Sequence, residues 1–220
     1  MPSITVSAPA GDRRLCSIEA LRAELGIADD DTRFTPWLES ECTAASDRVA
    51  EACGIAPDDD GDAPATLAAE VAVITFCAAE IPNSNMLELP WRYPARVTGI
   101  TVGGQLLDPN LYRAQSKSGL VSRVDASGRP VCWSRAETAV TVQSGWSADA
   151  VPTVLQDAVK RLVRLRWEGR GRDLALKAKE VEGVGREEYW VGGSSAPNSA
   201  VPADVVSALQ AAGLIVPVVI

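Results

Sequence analysis

Acidic residues, cysteines and paired glycines are the side chains whose types and spacing invite a chemical reading. The segment Pro57–Pro64, PDDDGDAP, gathers aspartates as a calcium loop would. With Asp58 at loop position 1, position 6 needs glycine and holds Ala63, and position 12 needs glutamate and holds Ala69, so the EF-hand pattern fails. A solvated loop is the expectation there. Gly183-Val184-Gly185 continues to Glu188 where a dinucleotide loop requires a third glycine. Neither GxxxxGK[ST] nor GxSxG occurs, and the absence of histidine removes Ser-His and Cys-His dyads and His-ligated metals. The five cysteines, Cys16, Cys42, Cys53, Cys77 and Cys132, form no CxxC, so buried free thiols are expected rather than a zinc or redox site. A carboxylate-dependent hydrolase is the enzyme class that survives. It needs two acids in a shielded cleft, and nothing in the spacing supplies one. The expectation is a non-enzyme with no catalytic, metal or cofactor-binding residue.

Charge is the second signal. The 220 residues carry 21 Lys plus Arg and 29 Asp plus Glu, a net charge of −8. Thirteen of the acids and five of the bases fall within the first 60 residues. Such a chain is poorly suited to gripping phosphates as its main task. One basic cluster stands out: Lys160, Arg161, Arg164, Arg166, Arg170 and Arg172. It reads either as a solvated helix face or as a contact with an acidic neighbour, for which the N-terminal third is a candidate. No apolar run approaches the roughly 20 residues of a bilayer span, and Met1–Asp12 shows no basic start followed by an apolar stretch.

These residues must be carried by a scaffold, and periodicity predicts an α+β one. Residues 1–14 read as a loose arm. A helix is predicted over 15–25, capped by Ser17 and ended by Gly26, with Leu15, Ile18, Leu21 and Leu25 on one face. Asp29-Asp30-Asp31 reads as a turn capping a second helix over 32–53. A third helix is predicted over 152–170, opened by Pro152, with Val154, Leu155, Ala158, Val159, Leu162, Val163 and Trp167 on its apolar face. Between the second and third lies an inserted antiparallel β region, about 71–146. In it Gly103-Gly104 turns one strand back on the next, and DPN, KSG and ASGRP supply further turns. The stretch 67–80 reads equally as strand, from Val71, Val73, Ile74 and Thr75, or as helix, from its alanines. Residues 15–172 form the expected core. Residues 173–220 form an extended C-terminal arm with a short helix over about 203–212 and an apolar finish, LIVPVVI. Leu214, Ile215, Val216, Val218, Val219 and Ile220 need cover, either on the chain's own core or in a partner.

The order of parts resembles a known family. SIEALRAELGI (Ser17–Ile27), the turn ADDD, a helix ending ASDRVAEACG, the stretch LPWRYPARVTGITVGGQLL (Leu89–Leu107), Leu111-Tyr112-Arg113, AVTVQSGWS and VPTVLQDAVKRLVRLRWEGR (Val151–Arg170) come in sequence. This resembles the head–tail connectors, or adaptors, of long-tailed bacteriophages and gene transfer agents. EVEGVGREEYW with its Pro-Val helix and apolar end is similar to adaptors of phages infecting actinobacteria. The cysteines and the acidic loop depart from that pattern. The resemblance implies a structural protein of the virion neck, made in the host cytoplasm and built into a ring, typically of twelve copies, beneath the portal. It implies a channel through which DNA passes without sequence-specific binding, and a platform for a stopper or other tail-side neck protein. A monomer in isolation is compatible with it, because a portal template offsets the cost of ordering the ring. On this view the tail, Leu214 to Ile220, docks on the portal, while Lys160, Arg161, Arg164, Arg170 and Arg172 face the adjacent copy. Another neck component, a stopper or tail-completion protein, is the alternative role.

Overall fold

The computed structural model describes residues 1–59, 61, 63–170, 178–181, 185–188 and 201–215. It is an α+β fold with two apolar centres, one helical and one between sheets.

The helical centre is built by α1 (Ile18–Leu25), α2 (Thr35–Ala52), α3 (Thr153–Gly169) and α4 (Ala203–Ala211). Ser17 caps α1, its hydroxyl accepting the Ala20 amide at 3.2 Å, and Gly26 closes it in the left-handed conformation at φ +67°. The predicted second helix is split. Asp31 accepts the Arg33 amide and caps a 3-10 turn, Thr32–Phe34, and Pro36 then sits in the first turn of α2. Leu38, Cys42, Ala45 and Val49 of α2 meet Leu155, Val159, Leu162 and Val163 of α3, the spacing of one helical face on each side.

The sheet centre rests on five antiparallel strands in the order β1-β2-β8-β4-β5. They are β1 (Ser3–Ala8), β2 (Glu70–Phe76), β4 (Ala95–Val102), β5 (Gln105–Leu106) and β8 (Thr138–Ser144). Their registers align Ile4, Ile74, Val140 and Ile100 as one buried row across four strands. A three-stranded sheet, β3 (Met86–Glu88), β7 (Leu120–Arg123) and β6 (Tyr112–Gln115), packs Leu87 and Val121 into the same centre. β9 (Ala178–Val181) and β10 (Gly185–Glu188) form a separate antiparallel pair.

Three expectations change here. The first residues are not loose: Ser3–Ala8 pairs with β2 and forms an edge of the large sheet. The ambiguous stretch is a strand. Its residues alternate buried and half-buried along Glu70–Phe76, a period of two that outweighs the helix preference of its alanines. The acidic loop is not merely solvated. Asp58 is 7% exposed, and its carboxylate accepts the Val6 amide at 3.4 Å.

Candidate assembly surfaces

α3 carries the basic cluster, and its neighbours already answer most of it. Lys160 lies 3.4 Å from Asp157, and Arg161 lies 3.4 Å from Asp204 of α4. Arg164 bridges Glu168 at 2.8 Å and Glu24 of α1 at 3.2 Å. Arg170 lies over Trp167, 3.5 Å from the ring centroid, with Phe34 and Trp37 completing an aromatic bed. These exposed pairs lace α1, α3 and α4 together on one side. Arg166 is exposed and makes no ion pair among the described residues. Arg172 lies outside the described residues.

The apolar finish divides. Leu214 is 5% exposed and belongs to the helical centre, and Ile215 packs half-buried against it. The sequence places them there through a helix stop: Gly213 takes φ +70°, and the Leu214 amide donates to the Leu209 carbonyl at 3.0 Å. Val216, Val218, Val219 and Ile220 lie outside the described residues.

The strongest buried electrostatic feature is an ion pair. Arg92 and Glu70 bond through Nη1 and Oε1, with both side chains only 1% exposed. Burial pushes the Glu70 carboxyl above its ordinary range, and the Arg92 charge pulls against that shift. Among the described residues Arg92 Nε and Nη2 have no hydrogen-bond partner. The pair is enclosed, which suits a structural strut and not a reacting group. Among the described residues no group of three or more His, Cys, Asp or Glu could hold a metal ion. Three thiols are held unreactive by burial: Cys16 is raised, Cys42 stands at about 11 and Cys53 at about 12.

Two further features escaped the sequence reading. One is a cleft of about 620 Å³ at the start of β4, lined among others by Ala95, Val97, Ala114, Ser116 and Trp146. Its lining includes Gly145, which takes φ +77° and where a Cβ would stand 2.2 Å from the Ala68 carbonyl oxygen. The other is Leu106, 75% exposed on β5. The cleft's lining comes from segments far apart in sequence and leaves no local pattern. Leu106 had a signal, an apolar residue two positions beyond a Gly-Gly turn.

No protein-family model matches the sequence, and no curated protein matches it. Solved structures do. A chain in the neck of an empty GTA particle, computed with C6 symmetry, is 16% identical with a TM-score of 0.52. The match covers 79% of this chain and 88% of that chain. A chain in the virion of a native gene transfer agent particle gives 15% identity, the same TM-score and the same coverage. The likeness is one of fold. It extends over about four-fifths of this chain.

Proposed function

We propose that this chain is a structural protein of the neck of a phage-like particle, an adaptor that stands as a ring of copies beneath the portal. The observation that carries the reading is the fold shared with a neck chain over most of both chains, in a particle computed with cyclic symmetry. The order of parts along the sequence points the same way independently.

The surfaces suit that work. Catalysis needs polar groups converging in a shielded cleft, and the buried Glu70–Arg92 pair is closed to a substrate. A ring component needs stiff elements with complementary sides. α1, α3 and α4 are joined into such a unit by the buried side chains of the helical centre. In this reading Lys160, Arg161, Arg164, Arg170 and Arg172 face acids of the adjacent copy. The tail docks on the portal through Val216, Val218, Val219 and Ile220, with Leu214 as its anchor in the core. A net charge of −8 favours DNA sliding past over DNA held. A stopper or other tail-side protein then seats on the distal face, and no cofactor takes part.

Cryo-electron microscopy of particles from the producing host tests this. The expected map has this chain as a closed ring in direct contact with the portal. Particles lacking the chain overturn the reading, and a ring separated from the portal by another protein reassigns it as a stopper or tail-completion component. Truncation after Ile215, which keeps α4 and Leu214 in the helical centre, is the companion test. Loss of joining to portal-bearing heads by a chain whose N-terminal part stays folded is expected, and undiminished joining rejects the docking role of the tail.

A further inference from the structure

We propose that Leu106 of one copy seats in the cleft at the start of β4 of the next copy, so that a hairpin tip and a cleft form the repeating side contact. This deepens the ring reading above and rests on it.

The knob is a rigid one. β5 pairs with β4 through Thr101↔Leu106 and Val102↔Gln105. The Leu107 amide donates to the Ile100 carbonyl at 2.8 Å, and the Gly103 amide donates to the Glu137 carbonyl at 2.8 Å. Gly103 and Gly104, at φ +58° and +79°, make the reversal that ordinary residues resist. The backbone of Leu106 is thus fixed, with its side chain lying by Gly99 and 75% exposed, so little backbone ordering cost remains for binding to meet. Among the described residues the large exposed hydrophobics are Met1, Met86 and Leu106, and Leu106 is the one on a turn-braced strand.

The cleft is a matching hole. At about 620 Å³ it has room for a hairpin tip, and its walls are mainly apolar, from Val97, Ala114 and Trp146. Trp146 is steadied edge-on by Tyr93 at 5.5 Å, which in turn stacks on Trp91 at 5.3 Å. A large ring held in this way is the kind of side chain that carries interface energy.

Geometry decides the occupant. The cleft lies by Ala95–Val97, and the knob lies by Thr101 on the same strand. Pairing with Thr101 pins Leu106, whose side chain lies by Gly99 of the same strand and does not line the chain's own cleft, so a second copy is the occupant that leaves both in place. A knob and a hole on different parts of one chain make a head-to-tail contact, which closes into a ring when the rotation permits. Charge agrees with this pairing. Arg96 is exposed on the rim of the cleft, while Asp108 and Glu137 are exposed beside the hairpin. None of the three makes an ion pair among the described residues. Arg135, also exposed near the hairpin, offsets part of that acidity. The opposite margin of the sheet is not available for copy-to-copy pairing, because Asp58 and Asp59 occupy the outer edge of β1.

The test uses two full-length variants made with Cys77→Ser and Cys132→Ser, one carrying Leu106→Cys and the other, isotope-labelled, carrying Ala114→Cys. They are mixed at high concentration, oxidised and weighed by mass spectrometry. The expected result is a 106–114 heterodimer at least fivefold above the share that random pairing gives, reduced to the random share when Arg96→Glu is added to the Ala114→Cys chain. A heterodimer at or below the random share, both in solution at high concentration and in particles assembled from the two variants, overturns the contact. Circular dichroism of each variant checks that it is folded. This outcome is separable from the neck reading: particles with the ring under the portal and no 106–114 link would move the side contact elsewhere, whereas particles without the chain would remove the ring itself.

Discussion

The Asp59 carboxylate accepts the Ile4 amide at 2.6 Å, and the Asp59 amide donates to the Ile4 carbonyl at 3.0 Å. The two residues exchange hydrogen bonds as partners in neighbouring strands do. Asp58 continues the pattern by accepting from Val6. The outer edge of β1 is therefore occupied by one loop residue after another, and Pro2 ahead of it has no amide hydrogen to offer. A register shift between Val6 and Ala8 then bends the strand away. These are the devices by which an exposed sheet edge is kept from pairing with another chain. The run of aspartates that suggested a cation loop serves here as an edge cover.

Replacing both residues, Asp58→Ala and Asp59→Ala, strips two amides of their acceptors. The expected loss is about 1–3 kcal/mol in urea unfolding. Light scattering of the same protein is expected to show self-association that grows with concentration. A variant that loses stability yet stays monomeric at every concentration would mean the loop braces β1 without guarding it.

The Glu70–Arg92 pair makes a different forecast. Removing one partner leaves a buried charge alone, so Glu70→Leu or Arg92→Met separately is expected to cost about 3–5 kcal/mol. Replacing both together is expected to come within about 1 kcal/mol of the parent, since the cost lies in stranding a charge and not in lacking the bond. Double-mutant cycles by denaturant unfolding measure this, and additive losses would refute it. The pH dependence follows from the raised Glu70 carboxyl. Between the ordinary glutamate value and the raised folded one, the unfolded chain is ionised while the folded chain holds its proton. Stability from this group therefore falls as pH rises through that window, and Glu70→Gln is expected to flatten that part of the profile.

Parts of this architecture were legible because their signals are local. α3 could be read from Pro152 and from Leu155, Val159, Leu162 and Val163, since one face of a helix is decided within four residues. The β4–β5 hairpin could be read from Gly103-Gly104 because the turn itself demands glycine. β1 could not. Its six residues, SITVSA, have no neighbouring strand in sequence, and their partner begins at Val71, some 60 residues later. The use of Asp58 and Asp59 was hidden for the same reason, because a carboxylate reaching a strand edge leaves no spacing rule behind. The cleft joins Ala69, Pro94, Ala114 and Trp146, which only the folded chain brings together. The basic cluster on α3 was visible as charge, but its ion pairs to Glu24 and Asp204 depend on how α1 and α4 pack.

Gly145 gives the sharpest stability forecast. A Cβ there would stand 2.2 Å from the Ala68 carbonyl oxygen, and the backbone is at φ +77°. Both the space and the torsion oppose a side chain. The Trp146 amide and carbonyl flank the same crossing, bonding Leu67 and Ala69 at 2.9 Å each. Gly145→Ala is expected to cost at least ~3 kcal/mol, read by thermal or urea unfolding. Gly128→Ala, left-handed but 3.5 Å from the nearest side-chain atom, is expected to cost clearly less. Equal losses at the two sites would show that the close approach at Ala68 contributes nothing.

The thiols offer a check on the burial pattern. Cys77 and Cys132 are exposed, while Cys16, Cys42 and Cys53 are buried. A maleimide reagent on the native protein at neutral pH is expected to modify two thiols rapidly, and the remaining three only on unfolding. Because burial holds Cys42 at about 11 and Cys53 at about 12, raising the pH to 9 leaves both protonated and protected. Peptide mapping that finds Cys42 or Cys53 labelled in the folded chain would contradict the packing of α2.

Arg161 and Arg164 test the side of the ring at α3. Their partners within the chain, Asp204, Glu24 and Glu168, are themselves exposed, so solvent and salt screen each pair heavily. Arg161→Glu together with Arg164→Glu is therefore expected to leave a cooperatively folded protein with only a slightly lower melting temperature. The larger expected effect is on assembly, a tenfold or greater fall in copies incorporated per particle, because the reversed charges would meet the acids of the adjacent copy. Quantitative mass spectrometry of purified particles reads this directly. Incorporation equal to the parent's, in a variant shown to be folded, would confine these arginines to bracing α1 and α4 within one copy and leave the hairpin and cleft as the side contact.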